Sequence, residues 1–192
     1  MKPVSKKRFL NTIDKHIFSK YPIDDYGEIW DRLSLVNFTR KTVLPRDILC
    51  FLQKGTIRKY IAGNEDDAMP TISVDFYFEG DIFTAKADNE ADRQFVYEPV
   101  SNGVLWYVEM SEVRRLFLES RLCSTTQKVF LEEQLREKTL REVRLLKASP
   151  KEMYLFLLEN KPLFIQRVPL KYLASYIGIT PQALSRIRRQ IN

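Results

Sequence analysis

Residues Leu173 to Arg189 read LASYIGITPQALSRIRR, and together with Leu170 they spell a helix, a turn and a second helix. Leu170, Leu173, Ala174 and Ile177 recur at i, i+3, i+4 and i+7, which places them on one face of a helix beginning near Pro169. Gly178 can adopt the left-handed backbone angles that end a helix without steric cost. Thr180 offers a hydroxyl to cap the next helix, and Pro181 stands at its first position, where a missing N–H costs nothing. The second helix, Pro181 to about Ile191, divides in two at 100° per residue, with Ala183, Leu184, Ile187 and Ile191 on one side and Gln182, Ser185, Arg186 and Arg189 on the other. Small Ala174 suits the closest approach of two helices in a helix-turn-helix.

The polar side has the chemistry of a base reader. Arginine carries a planar fork of donors that matches guanine O6 and N7, glutamine can serve adenine in the same way, and serine can bond bases or phosphates. Gln182, Ser185, Arg186 and Arg189 are therefore candidate base-reading residues. Arg188 on the flank and Lys171 on the first helix are candidate phosphate contacts, and Thr180 at the cap is a further candidate DNA-binding residue. The competing reading is a helical hairpin whose cationic face is merely solvated.

Charge points to the same end of the chain. The formal net charge is +6. Residues 1–110 carry 15 Lys and Arg against 17 Asp and Glu, whereas residues 111–192 carry 16 against 8. From Lys161 to Asn192 there are six basic residues and no acidic one. Such a segment repels itself unless a polyanion or solvent compensates it, so double-stranded DNA is the expected partner.

Upstream the periodicity changes twice. Residues 5–35 have helical spacing, interrupted at Tyr21-Pro22, and suggest two short opening helices. Beyond Val36, short runs and alternation take over: Ile48 to Leu52, Thr56 to Ala62, then Ile72, Val74, Phe76 and Phe78. Gln94 to Tyr97 and Val104 to Val108 are expected to pair across a tight Asn102-Gly103 hairpin. This pattern predicts an α+β chain with an antiparallel β-roll or jelly roll. At Ser111, an expected cap, helical spacing returns, and no Pro or Gly interrupts residues 121–147. Leu131, Leu135, Thr139, Val143 and Leu146 form a stripe along that helix. It is about 38 Å long, more than a small domain needs, so part of the stripe is expected to meet a second copy and make a homodimer; the alternative is a helix lying wholly on its own β domain. Ser149-Pro150 starts a further helix to Asn160. The resulting partition is a β-roll sensor over 1–120, a dimerisation helix over 121–148 and a DNA-binding unit over 149–192.

Other function classes find little support. Cys50 and Cys123 show no metal-ligand spacing and read as small buried apolar residues, and no cofactor is implied. His16, the only histidine, has no nucleophile motif or phosphate loop beside it, which speaks against an enzyme. The basic start of the chain leads into helical spacing rather than a hydrophobic run, and no stretch approaches a membrane span, so a cytoplasmic protein is expected.

The segment Leu173 to Arg189 resembles the C-terminal helix-turn-helix of the Crp/Fnr family of bacterial regulators, and the resemblance extends over most of the chain. It implies a β-roll like a cyclic-nucleotide-binding domain, then a dimerisation helix, then the DNA-binding helices, with RNA polymerase as a candidate partner and an unknown small molecule as effector. Nucleotide-binding members carry a Gly-Asp-x-Phe segment, a Gly-Glu pair and a later Arg-Ser or Arg-Thr pair. Here Gly80-Asp81-Ile82-Phe83 matches the first, Thr84-Ala85 stands in place of Gly-Glu, and Arg93-Gln94 in place of the last. The family's glutamate binds the ribose hydroxyl, a charge-assisted bond worth roughly 1.5 to 3 kcal/mol. The resemblance therefore implies a degenerate ligand pocket that does not respond to cyclic AMP. Arg93, with Asp88, Glu90 and Asp92 nearby, is expected in a local ion pair. Many members pair the recognition helix with a following wing, which is not expected here. The rival reading from another class is a β-barrel that binds a metabolite or partner protein, with weak or vestigial DNA binding.

Overall fold

A computed structural model of the protein describes residues 32–63, 71–86, 95–119 and 121–191. The expected opening helices fall almost wholly outside these residues, as do His16, Asp88, Glu90, Asp92, Arg93 and Gln94. The end of the helical spacing is corrected: Ser34 and Leu35 belong to a strand.

Seven strands are described: β1 (Ser34–Phe38), β2 (Ile48–Lys54), β3 (Ile57–Ile61), β4 (Ile72–Tyr77), β5 (Ile82–Ala85), β6 (Phe95–Pro99) and β7 (Gly103–Glu109). They form two antiparallel sheets, one ordered β1-β7-β2-β5 and the other β4-β3-β6. The shared core comes from alternate residues of the strands: Ile48, Cys50 and Leu52 of β2, Ile57 of β3, Phe83 and Ala85 of β5 and Leu105 of β7 are all buried between the sheets. Burial pushes the Cys50 thiol well above its ordinary range, which leaves it an inert packing residue. The other face of the larger sheet packs Phe51 and Val108 against Val113.

The chain changes sheet at its corners. Gly55 (φ 110°) links β2 to β3 and Gly80 (φ 93°) links β4 to β5, each joining strands of different sheets. The link from β6 to β7 does the same, so the hairpin expected at Asn102-Gly103 is not formed: β6 pairs with β3, and β7 with β1 and β2. Gly103 is needed for proximity instead of for a turn. A Cβ there would stand 2.0 Å from the Lys54 carbonyl oxygen and 2.4 Å from Phe38 Cζ. A second departure is a shift of register in β4, where Lys59 faces Asp75 but Tyr60 faces Ser73. The extra residue breaks the alternation, so Ser73, Phe76 and Phe78 are buried while Ile72 is exposed.

Six helices follow: α1 (Met110–Glu119), α2 (Arg121–Lys147), α3 (Pro150–Asn160), α4 (Pro162–Arg167), α5 (Leu170–Ile177) and α6 (Pro181–Ile191). The expected cap Ser111 lies inside α1, which starts one residue earlier. Ser149 and Glu152 form a reciprocal capping box at α3, with Pro150 in the first turn. The short α4 has no counterpart in the sequence reading. Its Phe164 joins Met153, Tyr154, Leu157, Leu173, Ala174, Tyr176, Ile177 and Leu184 in a second core, and Phe76 of β4 and Phe78 just after it complete it. Among the described residues no helix is long and apolar enough to cross a membrane.

Candidate nucleic-acid interface

The turn between α5 and α6 has the geometry its residues call for. Gly178 sits at φ 85°, ψ 29°, and its N–H donates to the carbonyls of Ala174 (3.0 Å) and Ser175 (3.2 Å). The Ile179 N–H also donates to the Ala174 carbonyl, at 3.0 Å. Thr180 Oγ1 accepts from the Ala183 N–H at 3.2 Å, which caps α6 one residue before Pro181. Ala174 is fully buried, so α5 and α6 can close on each other at that point. On α6, Leu184 is fully buried, a contribution of about 1.5 to 3 kcal/mol, and Ile187 and Ile191 pack on the same core. These contacts turn the opposite side outward.

Gln182, Arg186, Arg188 and Arg189 are exposed and Ser185 is half-buried. Thr180 and Lys171 are exposed too, Lys171 Nζ lying 4.7 Å from the Tyr172 ring centre. The other two basic residues of the C-terminal segment are turned elsewhere: Arg167 pairs with Glu79 of the β4–β5 corner, and Lys161 stands over Phe164. Lys171, Arg186, Arg188 and Arg189 remain as exposed cations of the segment.

Several residues that sequence reading passed over hold this unit on the β-roll. Arg58, 4% exposed, donates from Nε to Ser73 Oγ (2.9 Å), pairs with Glu98 (3.4 Å), and lies between the rings of Tyr60 and Tyr172. Ser175 of α5 accepts from the Ser73 N–H (2.9 Å) and donates to the Thr71 carbonyl (3.0 Å). Since β4 is an edge strand, the Ser175 hydroxyl satisfies backbone groups that would otherwise be open. At Ser175 the only local signal is a hydrophilic residue between Ala174 and Tyr176, and Arg58, followed by Lys59, gives none.

The candidate ligand-pocket residues are spread over two environments. Phe83 stacks on Tyr77 with ring centres 4.1 Å apart and lies 5.8 Å from Tyr97, and Ala85 is buried beside them in the roll. The Thr84 carbonyl accepts from the Tyr97 hydroxyl at 2.8 Å. Gly80 and Asp81 form the corner itself, where Asp81 Oδ2 accepts from the Phe78 N–H at 2.7 Å. Burial pushes the Asp81 carboxyl up to about 6, against the lowering pull of that hydrogen bond and of the Lys161 charge. No group of His, Cys, Asp and Glu among the described residues could hold a metal ion.

The stripe on α2 faces away from the chain. Leu131, Leu135, Val143 and Leu146 are 54%, 68%, 40% and 81% exposed, and exposed Thr139 bonds back to the Leu135 carbonyl at 3.0 Å. The opposite side of α2 carries Lys138, Arg141 and Arg144, of which Lys138 pairs with Asp75 and Arg141 donates to the Tyr176 carbonyl (3.3 Å). The leucines of the stripe are thus exposed, while Lys138 and Arg141 reach the chain's own fold.

Neither a family model nor a curated protein matches the sequence. Solved structures match the fold over most of the chain. A protein described as a Crp/Fnr-family transcriptional regulator from Eubacterium rectale aligns with a TM-score of 0.67 at 15% identity, covering 92% of this chain and 86% of its own. FixK2 from Bradyrhizobium japonicum aligns with a TM-score of 0.67 at 15% identity over 83% and 84%. A cyclic nucleotide-binding domain containing protein from Listeria monocytogenes aligns at 0.63 and 10% identity over 95% and 90%. From β-roll to terminal helix-turn-helix, this chain has the fold of the Crp/Fnr regulators.

Proposed function

We propose that the protein is a sequence-specific DNA-binding transcription regulator of the Crp/Fnr type that acts as a homodimer. The observation that carries this reading is the division of α6: Leu184 is fully buried while Gln182, Arg186 and Arg189 stand exposed on the other side, with no acidic partner among the described residues. In the proposed complex Gln182, Ser185, Arg186 and Arg189 contact base edges, and Lys171, Thr180 and Arg188 contact phosphates. The outward leucine stripe of α2 supplies the dimer contact, since an apolar row on a 27-residue helix is covered most economically by the same row of a second copy. Two recognition helices then reach successive major grooves about 34 Å apart.

In this reading residues 1–120 sense, 121–148 dimerise and 149–192 bind DNA. The roll does not respond to cyclic AMP, because Ala85 has no carboxylate for a ribose hydroxyl and the rings of Tyr77, Phe83 and Tyr97 are stacked on one another in the adjoining core. The test is a salt titration of binding to a selected duplex by the full chain and by R186A/R189A. The variant is expected to lose specificity, whereas removing the phosphate-contacting charges of Lys171 and Arg188 is expected to lower the slope of log affinity against log salt by roughly 0.9 per phosphate charge no longer neutralised. An unchanged slope and unchanged specificity would refute the assignment.

A further inference from the structure

The β-roll and the C-terminal helices do not close completely on each other. Between β4, the charged side of α2 and the α3–α4 corner lies a cleft of about 470 Å³, bounded in part by Tyr77, Arg141, Arg144, Phe156, Lys161 and Tyr176. The volume falls in the range of roughly 300 to 1,000 Å³ typical of small-molecule sites. Its walls combine aromatic rings with charge, and the charges are unevenly satisfied.

Each acid in the cleft is engaged. Asp75 pairs with Lys138, Glu137 pairs with Arg136 (3.0 Å), and Asp81 accepts the Phe78 N–H. Three cations are left over. Arg141, Arg144 and Lys161 form no ion pair with a described carboxylate, and each lies over a ring: Arg141 4.3 Å from the centre of Tyr176, Arg144 4.0 Å from Phe156 and Lys161 5.5 Å from Phe164. A guanidinium lying on a ring keeps its in-plane donors available for an oxyanion. Arg141 Nε is in addition buried without a hydrogen-bond partner, although Nη2 reaches the Tyr176 carbonyl. A buried donor left in that state costs about 1 to 3 kcal/mol.

We propose that this cleft is an effector site for a small oxyanion, a carboxylate or phosphate ester, that carries an aromatic body. The oxyanion takes the Arg141, Arg144 and Lys161 donors, and the ring packs among Tyr77, Phe156 and Tyr176. Because β4 forms one wall and Tyr176 of α5 another, the ligand bridges the roll and the helix that seats α6. Asp81 and Ile82 of the Gly80 to Ala85 segment stand at the edge of the cleft, and only the effector role, not the binding itself, rests on the regulatory reading.

The experiment is calorimetry and thermal unfolding of the full chain with phenyl phosphate at constant ionic strength, beside inorganic phosphate and neutral benzyl alcohol. Phenyl phosphate is expected to bind saturably and raise Tm, inorganic phosphate to bind at least ten-fold more weakly, and benzyl alcohol to give no saturable response. R144Q/K161Q is expected to weaken phenyl phosphate at least ten-fold, and K41Q, an exposed charge change outside the cleft, to leave it unchanged. If the double variant does not fold, R144Q and K161Q singly are each expected to weaken binding several-fold. No saturable response to phenyl phosphate, equal binding of inorganic phosphate, or full affinity in the folded variants would overturn the proposal.

Discussion

The Arg58 guanidinium of β3 lies 3.9 Å from the ring centre of Tyr172 on α5, and 4.4 Å from that of Tyr60 on its own strand. One arginine thereby ties the β-roll to the first helix of the helix-turn-helix. Its charge is nearly out of solvent, so removing it leaves the buried Ser73 hydroxyl without that partner and opens space at the two rings. Arg58→Ala should cost about 3 kcal/mol, and Tyr172→Leu about 1 to 2 kcal/mol. Urea denaturation of the two single variants and the double variant should give a coupling energy of about 1 kcal/mol or more. Additive losses would mean that the contact between the two side chains contributes nothing.

Two glycines should respond differently to alanine for reasons that the backbone separates. At Gly178 a Cβ meets nothing within 4 Å but φ is 85°, so Gly178→Ala should cost about 1 kcal/mol through strain alone. At Gly103 the Cβ would fall on the Lys54 carbonyl and the Phe38 ring, so Gly103→Ala should cost several times that, about 3 kcal/mol, by prising β7 from β2. Thermal unfolding of both variants checks the order.

These two positions also mark how far local chemistry could be read in the sequence. Gly178, Thr180 and Pro181 act within a few residues of themselves, so their spacing was enough to place α5, the turn and α6. The apolar run Ile48 to Leu52 likewise placed a strand, though its unbroken apolar character did not show that Ile48, Cys50 and Leu52 share the face between the sheets. Asn102-Gly103 misled because the same dipeptide suits a tight turn and a close crossing, and only the approach of Lys54, nearly fifty residues away in sequence, distinguishes them. Arg58, Phe76 and Ser175 were not legible as a set, since each matters through a partner on the other unit. The register shift in β4 hid which of its residues face those helices.

The Asp81 carboxyl should make stability depend on pH. Its folded-state value, about 6, stands above the ordinary 3.8, so between those values the folded protein binds the proton more tightly than the unfolded chain. Stability from this group is greatest below about pH 4 and falls as pH rises toward 6, by up to about 3 kcal/mol. Asp81→Asn keeps an acceptor for the Phe78 N–H and removes the titration. Denaturation at pH 4 and pH 7 should show the wild type losing more stability than the variant over that interval; equal losses would contradict the assignment.

The α2 stripe should govern assembly and not folding. Leu135 and Leu146 are 68% and 81% exposed in the single chain, so Leu135→Glu combined with Leu146→Glu should leave the circular dichroism of the fold intact. Sedimentation should show a dimer for the wild type and a monomer for the variant. A wild-type monomer, or a variant that still dimerises with wild-type affinity, would count against the stripe.

The reading of α6 as a DNA reader set on a two-fold axis is tested most directly by selecting bound fragments from a random duplex pool with the full chain. The account predicts an enriched, two-fold symmetric motif with half-site centres one helical turn apart, about 34 Å, and no enrichment with R186A/R189A. Recovery of no motif, or of the same motif by the variant, would contradict it.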